Sequence, residues 1–264
     1  MAMELATLEI DETRLIATMT VNRPAVLNAL DVATAEAMQS VAAKLAARPD
    51  LRCIIVRGAG RAFMAGGDLA GFASDFDTAD STVKQLLDAL EPVVMTFQHH
   101  PAPVLASVHG AVAGAGISLM AAADLSIAAT ETRFMLAYDK IGAPPDCGGS
   151  YFLPRLLGER RAAALMYLGE TWSAEEALQY GLVNKLVSAN DLQIETDKLA
   201  AKIAAGPTLA YSQYKKLVRE GRTNSLQEQL HAERAAFCAA TKTADFKIGV
   251  SAFIKREMAK FTGR

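Results

Sequence analysis

Two apolar-rich runs, Leu5 to Ile10 and Leu15 to Val21, flank the polar stretch Asp11-Glu-Thr-Arg14 and predict an antiparallel hairpin. Asn22-Arg-Pro stops the second strand, and the apolar period then lengthens. Met38, Val41, Ala42 and Leu45 share one face of a helix predicted from about 34 to 47, and Cys53-Ile-Ile-Val56 follows Pro49-Asp50 as a short buried strand. This is a β-α-β unit, for which parallel pairing is expected. A helix over about 81 to 98 leads to a central strand, Pro103 to Val108. Beyond it a small-residue turn feeds the apolar helix Ile117 to Ala123, which carries no charge until Asp124 and is therefore expected to be buried. Leu125 to Ala129 reads as a further strand.

From Arg160 onward the pattern is helical. Capping boxes at Ser173-Ala-Glu-Glu176 and Ser225-Leu-Gln-Glu228 mark two helix starts. Leu182 to Val187 is the one strand-like interruption. Phe246, Val250, Phe253 and Ile254 line one face of the last helix, while Lys247, Lys255, Arg256 and Lys260 read as a solvated basic face. No internal repeat or linker interrupts the pattern.

At 264 residues, 51% of them apolar, the chain can bury a substantial core. A formal charge of −2 and the absence of a Lys/Arg tract point away from nucleic acid as the main partner. The first residues, Met-Ala-Met-Glu-Leu, are acidic where a secretory leader is basic, and no apolar run is long enough to span a bilayer, so a cytoplasmic protein is expected. Cys53, Cys147 and Cys238 are widely spaced and form no CxxC pair, so neither a disulfide framework nor a zinc site is indicated. His99-His100 lacks a helical i, i+4 partner and reads as an exposed helix end rather than a metal motif.

Glycine clusters follow two strand ends. In the first, Gly58 to Asp68, the segment Ala65-Gly66-Gly67-Asp68 stands where open α/β sheets bind ligands. The second, Gly114-Ala115-Gly116, opens the buried helix, whose unpaired first-turn N–H groups favour developing negative charge. Close helix packing explains the same glycines equally well. If each turn supplies one backbone N–H to a single oxygen, the pair makes an oxyanion hole.

With these turns in place, the sequence resembles the crotonase, or enoyl-CoA hydratase/isomerase, superfamily over essentially its whole length. The resemblance rests on Asn22-Arg-Pro-Ala-Val-Leu-Asn-Ala-Leu30, Arg61-Ala-Phe-Met-Ala-Gly-Gly-Asp-Leu69, His109-Gly-Ala-Val-Ala-Gly-Ala-Gly116, Asp124, Ile141-Gly-Ala-Pro-Pro-Asp-Cys-Gly-Gly-Ser150 and Leu153-Pro-Arg-Leu156. It implies an α/β fold, a crotonase-like spiral of β-β-α turns over residues 1–200. It further implies a C-terminal helical region, 201–264, for oligomerisation and CoA cover. It also implies acyl-CoA thioester substrates, no cofactor beyond the CoA of the substrate, no metal, and a homotrimer or dimer of trimers.

Matched to the family, the oxyanion donors fall on the backbone N–H groups of Gly67 and Ala115. Polarising the thioester carbonyl acidifies the adjacent C–H and stabilises the resulting enolate. The two glutamates that handle water in hydratases are replaced by Ser118 and Tyr138, both poor bases near neutral pH. Asp146 occupies the position at which several isomerases of the superfamily carry their acid/base, and the segment looks most like epoxyphenylacetyl-CoA isomerases of phenylacetate breakdown and 3-enoyl to 2-enoyl isomerases of fatty acid metabolism. A cap for the helix near Gly148 is the competing role for Asp146.

The resemblance therefore implies an enoyl-CoA isomerase with Asp146, Gly67, Ala115 and Tyr138 at the reaction. The alternatives are an enoyl-CoA hydratase using Asp146 and Tyr138 on water, and a non-catalytic acyl-CoA-binding subunit. CoA contacts are expected at Arg23, Ala65, Gly66, Asp68 and Gly114, with Phe253 and Arg256 contributed from the C-terminal helix. Arg23 and Asp68 equally suit a bracing role within their loops. Phe72, Phe76, Val83 and Leu87 are apolar residues of the stretch, about 71 to 90, in which the acyl pocket is expected.

Overall fold

A computed structural model describes residues 4–73 and 75–264, so the first three residues of the N-terminal segment lie outside it. The N-terminal hairpin is β1 (Ala6–Asp11) and β2 (Ile16–Val21), paired antiparallel from Ala6 opposite Val21 to Asp11 opposite Ile16. Helix α1 (Val32–Ala46) begins at Asp31, whose side chain accepts the Thr34 N–H at 2.8 Å. Then come β3 (Cys53–Gly58), the short α2 (Leu69–Ala73), α3 (Ala79–His99), β4 (Val104–Val108), β5 (Ala111–Ala113), α4 (Ala115–Ala121), β6 (Leu125–Ala129) and β7 (Arg133–Met135). The remainder is α5 (Gly149–Leu157), α6 (Glu159–Tyr167), β8 (Thr171–Ser173), α7 (Ala174–Gln179), β9 (Lys185–Val187), α8 (Leu192–Ala204), α9 (Thr208–Glu220), α10 (Leu226–Ala240) and α11 (Ala244–Lys255).

Six strands form one sheet in the order β1-β2-β3-β4-β6-β9, parallel from β2 onward, and β5-β7-β8 form a second, smaller sheet. Successive strands alternate between the two: β4 enters the large sheet and β5 the small one, then β6 and β7 repeat the move. This is the spiral of the crotonase fold. Met64, just past β3, makes an isolated parallel bridge to Val112 of β5 and so starts the small sheet one turn earlier.

Alternation along β3 divides the core. Ile54 and Val56 join the cluster with Met38, Leu45, Leu90 and Phe97 of α1 and α3. Cys53 and Ile55 face the other way, with Ile16, Leu105 and Ile127, onto Leu192, Ala200 and Ile203 of α8. Every residue of α4 is buried, in keeping with its uncharged sequence. Both predicted capping boxes close, at Ser173 with Glu176 and at Ser225 with Glu228.

Two expectations are corrected. His100 is buried rather than exposed: its Nε2 lies 3.1 Å from the Leu45 carbonyl oxygen and its Nδ1 accepts the Ala102 N–H at 3.0 Å. The ring thereby joins the end of α1 to the approach to β4. Leu182 to Val187 is not the only strand of the helical half, because Thr171–Ser173 pairs antiparallel with β7. Among the described residues no helix is long and apolar enough to cross a membrane, and no three His, Cys, Asp or Glu side chains form a group able to hold a metal ion.

Candidate active site

The two glycine turns are held together main chain to main chain. Met64 N–H donates to the Ala111 carbonyl at 3.2 Å, and Ala113 N–H donates to the Met64 carbonyl at 2.9 Å. The buried Asn28 amide fixes the first turn from below, donating to the carbonyls of Ala59 and Ala62 at 2.8 Å each and of Phe63 at 3.1 Å. At the contact, a Cβ on Gly66 would sit 3.4 Å from the Gly114 Cα, with both glycines at positive φ. One step on, a Cβ on Gly116 would lie 2.5 Å from the Met64 carbonyl oxygen, closer than any side chain can be placed.

This packing brings Gly67 and Ala115 to the wall of one cleft. Leu30 N–H donates to the Gly66 carbonyl and Asp68 N–H to the Leu30 carbonyl, both at 2.8 Å, which leaves the intervening Gly67 N–H unused. Ala115 is the first residue of α4, where an N–H has no intrahelical acceptor. Among the described residues neither donor meets an acceptor of the chain.

Asp68 accepts from Arg23 Nη1 at 2.7 Å, and Arg23 also reaches the Ala29 carbonyl at 3.0 Å and Asp31 at 3.1 Å. Arg23 is thus committed to three neighbours within its own loops. Arg23, Ala65, Gly66, Asp68 and Gly114 surround the donor turns without lining the cleft.

The cleft has a volume of about 920 Å³ and a largely apolar lining. On one side stand Phe72 and Phe76 of the α2 region and Val83, Leu87, Leu90 and Val94 of α3; on the other stand Ile141, Ala143 and Pro144. The four residues singled out between 71 and 90 therefore all reach it. Val83, Leu87, Leu90 and Val94 follow the i, i+4, i+7, i+11 spacing of one face of α3, a regularity that the sequence analysis did not single out.

Tyr138 and Asp146 meet in this cleft, the phenol Oη donating a short hydrogen bond to Asp146 Oδ1. Left-handed backbone at Ala137, Gly142, Cys147 and Gly148 folds the intervening segment back on itself. Burial, with the facing Asp146 carboxylate second, pushes the Tyr138 phenol well above its usual range and keeps it a donor. Burial, and then the same carboxylate, pushes the Cys147 thiol up as well, which disfavours the thiolate.

The competing role for Asp146 is not realised in its side chain. Residue Gly148 caps α5 with no side-chain hydrogen bond, and Asp146 contributes only its carbonyl, which accepts the Gly149 N–H at 2.8 Å. Ser118 is fully buried in α4, its Oγ has no hydrogen-bond partner among the described residues, and it packs where a Cβ on Gly149 would lie 2.4 Å from it. It does not line the cleft.

Asp124 accepts from Val104 N–H at 2.8 Å and from Lys215 Nζ at 2.6 Å, tying α9 to the central strand. Phe253 and Arg256, at the end of α11, lie away from the cleft; Phe253 is 85% exposed.

Taken together, the site offers two unused main-chain donors, one carboxylate held by a protonated phenol, and a large apolar chamber. That set can hold an oxyanion and move a proton at a neighbouring carbon.

Comparison with known proteins agrees along nearly the whole chain. The family model described as enoyl-CoA hydratase/isomerase matches residues 11–264. A protein of Rhodobacter capsulatus named probable enoyl-CoA hydratase is 38% identical over 249 residues, covering 94% of this chain and 95% of its own. The 1,2-epoxyphenylacetyl-CoA isomerase of Escherichia coli is 34% identical over 250 residues, with the same coverage of 94% and 95%. The crystal structure of an enoyl-CoA hydratase from a Polaromonas species superposes with a TM-score of 0.90 at 30% identity, over 97% of this chain and 99% of that one. The motifs, the spiral and these whole-length likenesses converge: this chain belongs to the enoyl-CoA hydratase/isomerase family of the crotonase superfamily.

Proposed function

We propose that the protein is an enoyl-CoA isomerase that moves a double bond with Asp146 as its single acid/base. The observation that carries this reading is the Tyr138–Asp146 pair, standing in one cleft with Gly67 and Ala115. Of the two positions at which hydratases hold glutamates, Ser118 is sealed in the core and Tyr138 is a donor to Asp146; Asp80, Asp88 and Glu91 also line the cleft but are exposed on α3, so Asp146 is the carboxylate assigned to proton transfer.

In the forward step on a 3-enoyl thioester, the Asp146 carboxylate takes the proton from C2. The electron pair moves into the carbonyl, and the oxygen of the dienolate is held by the N–H groups of Gly67 and Ala115. The Asp146 carboxylic acid then returns the same proton to C4, leaving the double bond between C2 and C3 and the mass unchanged. Tyr138 keeps one carboxylate oxygen occupied and the other directed to the substrate.

The Escherichia coli relative is named for isomerising an epoxide, which supports rearrangement of an acyl-CoA without water in general rather than migration of a double bond, while the name of the Rhodobacter relative belongs to water addition. The reading carries with it a cytoplasmic trimer or dimer of trimers with no cofactor beyond the substrate's own CoA, in which residues 201–264 pack on neighbouring copies and bring Phe253 and Arg256 over the CoA of the adjoining site. The exposed apolar face of α11, with Phe253 and Ile254 at 85% and 75%, suits that use.

The test incubates the purified protein separately with a 2-enoyl-CoA and a 3-enoyl-CoA and follows mass and double-bond position. Rearrangement at constant mass, abolished by Asp146→Asn, is expected. Gain of one water would replace the proposal with hydration, and absence of turnover on either substrate would leave an acyl-CoA-binding protein.

A further inference from the structure

The cleft, about 920 Å³ in all, is larger than the proton transfer requires, and its chemistry is one-sided. Val83, Leu87, Leu90 and Val94 form a single apolar stripe along α3. With eleven helical steps from first to last the stripe runs for about 16 Å, roughly the length of a dozen methylene groups. Phe72 lies across its reacting end, its ring 3.1 Å from where a Cβ on Gly67 would stand, so the wall begins at the oxyanion donor itself. Ile141, Ala143 and Pro144 complete the opposite wall.

The charged residues of the lining all carry one sign. Asp80, Asp88 and Glu91 are exposed at its rim on α3, and Asp146 lies within. No Lys, Arg or His lines the cleft among the described residues. Lys84 pairs with Asp88 and is not itself part of the lining.

We infer that the acyl group taken by this site is a long, uncharged apolar chain, of about ten carbons or more, laid along α3, and that chains ending in a carboxylate are turned away by the acidic rim. A four-carbon acyl group would leave the half-buried Val83, Leu87 and Val94 facing water, whereas each further methylene withdraws apolar surface from it. An ω-carboxylate would approach Asp80 and Glu91 with no cation in the cleft lining to receive it, Asp88 being already paired with Lys84. The inference rests on the acyl-CoA reading of the site and extends it to the identity of the acyl chain.

Saturated acyl-CoA thioesters, which can neither isomerise nor add water at a double bond, separate this question from the reaction. Calorimetric titration of the whole protein with the C4, C8 and C12 thioesters is expected to show affinity rising about twofold per half-buried methylene, on the order of 100-fold from C4 to C12. A series flat to within threefold would overturn the assignment. Leu87→Trp, which fills the middle of the stripe, is expected to collapse the C12-to-C4 ratio toward unity, and an unchanged ratio in the folded variant would refute the placement.

Should that variant fail to fold, the surface pair Asp88→Asn and Glu91→Gln tests the rim. Wild-type protein is expected to bind a C10 thioester at least tenfold more tightly than its ω-carboxyl counterpart, and the neutralised protein to lose most of that preference. Equal binding of both by the wild type would refute the exclusion. A protein that binds C12 tightly but shifts no double bond would refute the isomerase reading and leave this one standing; one that isomerises but binds C4 and C12 alike would do the reverse.

Discussion

If Tyr138 acts only through Asp146, the two residues must behave as one unit under mutation, and a double-mutant cycle measures that directly. Asp146→Asn removes the acid/base, and loss of a positioned acid or base costs on the order of 100- to 10,000-fold in rate. Tyr138→Phe keeps the buried ring in the core and deletes one hydrogen bond to a charged acceptor. Such a bond is worth about 1.5–3 kcal/mol, equivalent to roughly 10- to 150-fold in rate. Because water entering from the open cleft can replace the lost donor, the lower end applies, about tenfold in kcat. KM should change little, since the phenol hydroxyl is engaged with Asp146 rather than held free for the substrate. The decisive quantity is the double variant: with no carboxylate left to orient, Asp146→Asn/Tyr138→Phe should be no slower than Asp146→Asn alone. Initial rates of double-bond migration on all four proteins, with circular dichroism melts as a fold control, give the cycle. Additive losses would show that Tyr138 reaches the substrate on its own account, and a kcat for Tyr138→Phe within twofold of wild type would remove it from the mechanism.

Three further outcomes follow from buried polar groups. Ser118→Ala should raise stability by about 1 kcal/mol in urea denaturation, because it deletes a fully buried hydroxyl with no hydrogen-bond partner among the described residues; a loss of stability would contradict that geometry. Lys215 has a side chain only 9% exposed and its charge faces Asp124, so Asp124→Asn, which strands the cation, should cost about 3–5 kcal/mol while Lys215→Met costs much less. Equal costs by chemical denaturation would show the pair to be solvated. Burial holds the His100 imidazole below its ordinary value of 6.5, so the folded protein keeps it neutral while the unfolded chain takes up the proton first. Its contribution to stability is full above pH 6.5 and is lost as pH falls through the lowered folded value. The urea midpoint should therefore fall on acidification less steeply in His100→Gln than in the wild type, and parallel profiles would refute the assignment.

Strands and helices with a clear period were legible in the sequence. The hairpin, β3, β4 and β6 show as apolar runs, α1 as an apolar face, α3 as a helix over about 81 to 98, and the two capping boxes as hydroxyl and carboxylate at fixed spacing. The second sheet was not, because Ala111–Ala113, Arg133–Met135 and Thr171–Ser173 are each three residues long and a period needs more than that to declare itself. His100 misled for a related reason: one residue past the end of α3, its burial depends on carbonyls about fifty positions earlier. At the site, family motifs located Gly67, Ala115 and Asp146, but the meeting of Tyr138 with Asp146 depends on left-handed turns at Ala137 and Cys147 that the sequence does not announce. Apolar character at Phe72, Phe76, Val83 and Leu87 was plain; that all four look into one chamber required the relative placement of α2 and α3.

The junction of the two glycine turns has a consequence for how such a protein can change its chemistry. In the proposed reaction the groups that face the substrate oxygen there are peptide N–H groups, fixed by a bridge from Met64 to Val112 and by glycines packed too closely for a side chain. A substitution can break this cradle but can scarcely retune it, since the donors belong to the backbone every residue shares. Adaptation is thereby channelled into the residues around the chamber, where a carboxylate can be moved, removed or exchanged for a phenol while the enolate still finds its berth. A designer seeking a new reaction on this frame should leave residues 64–67 and 112–116 untouched and vary the walls.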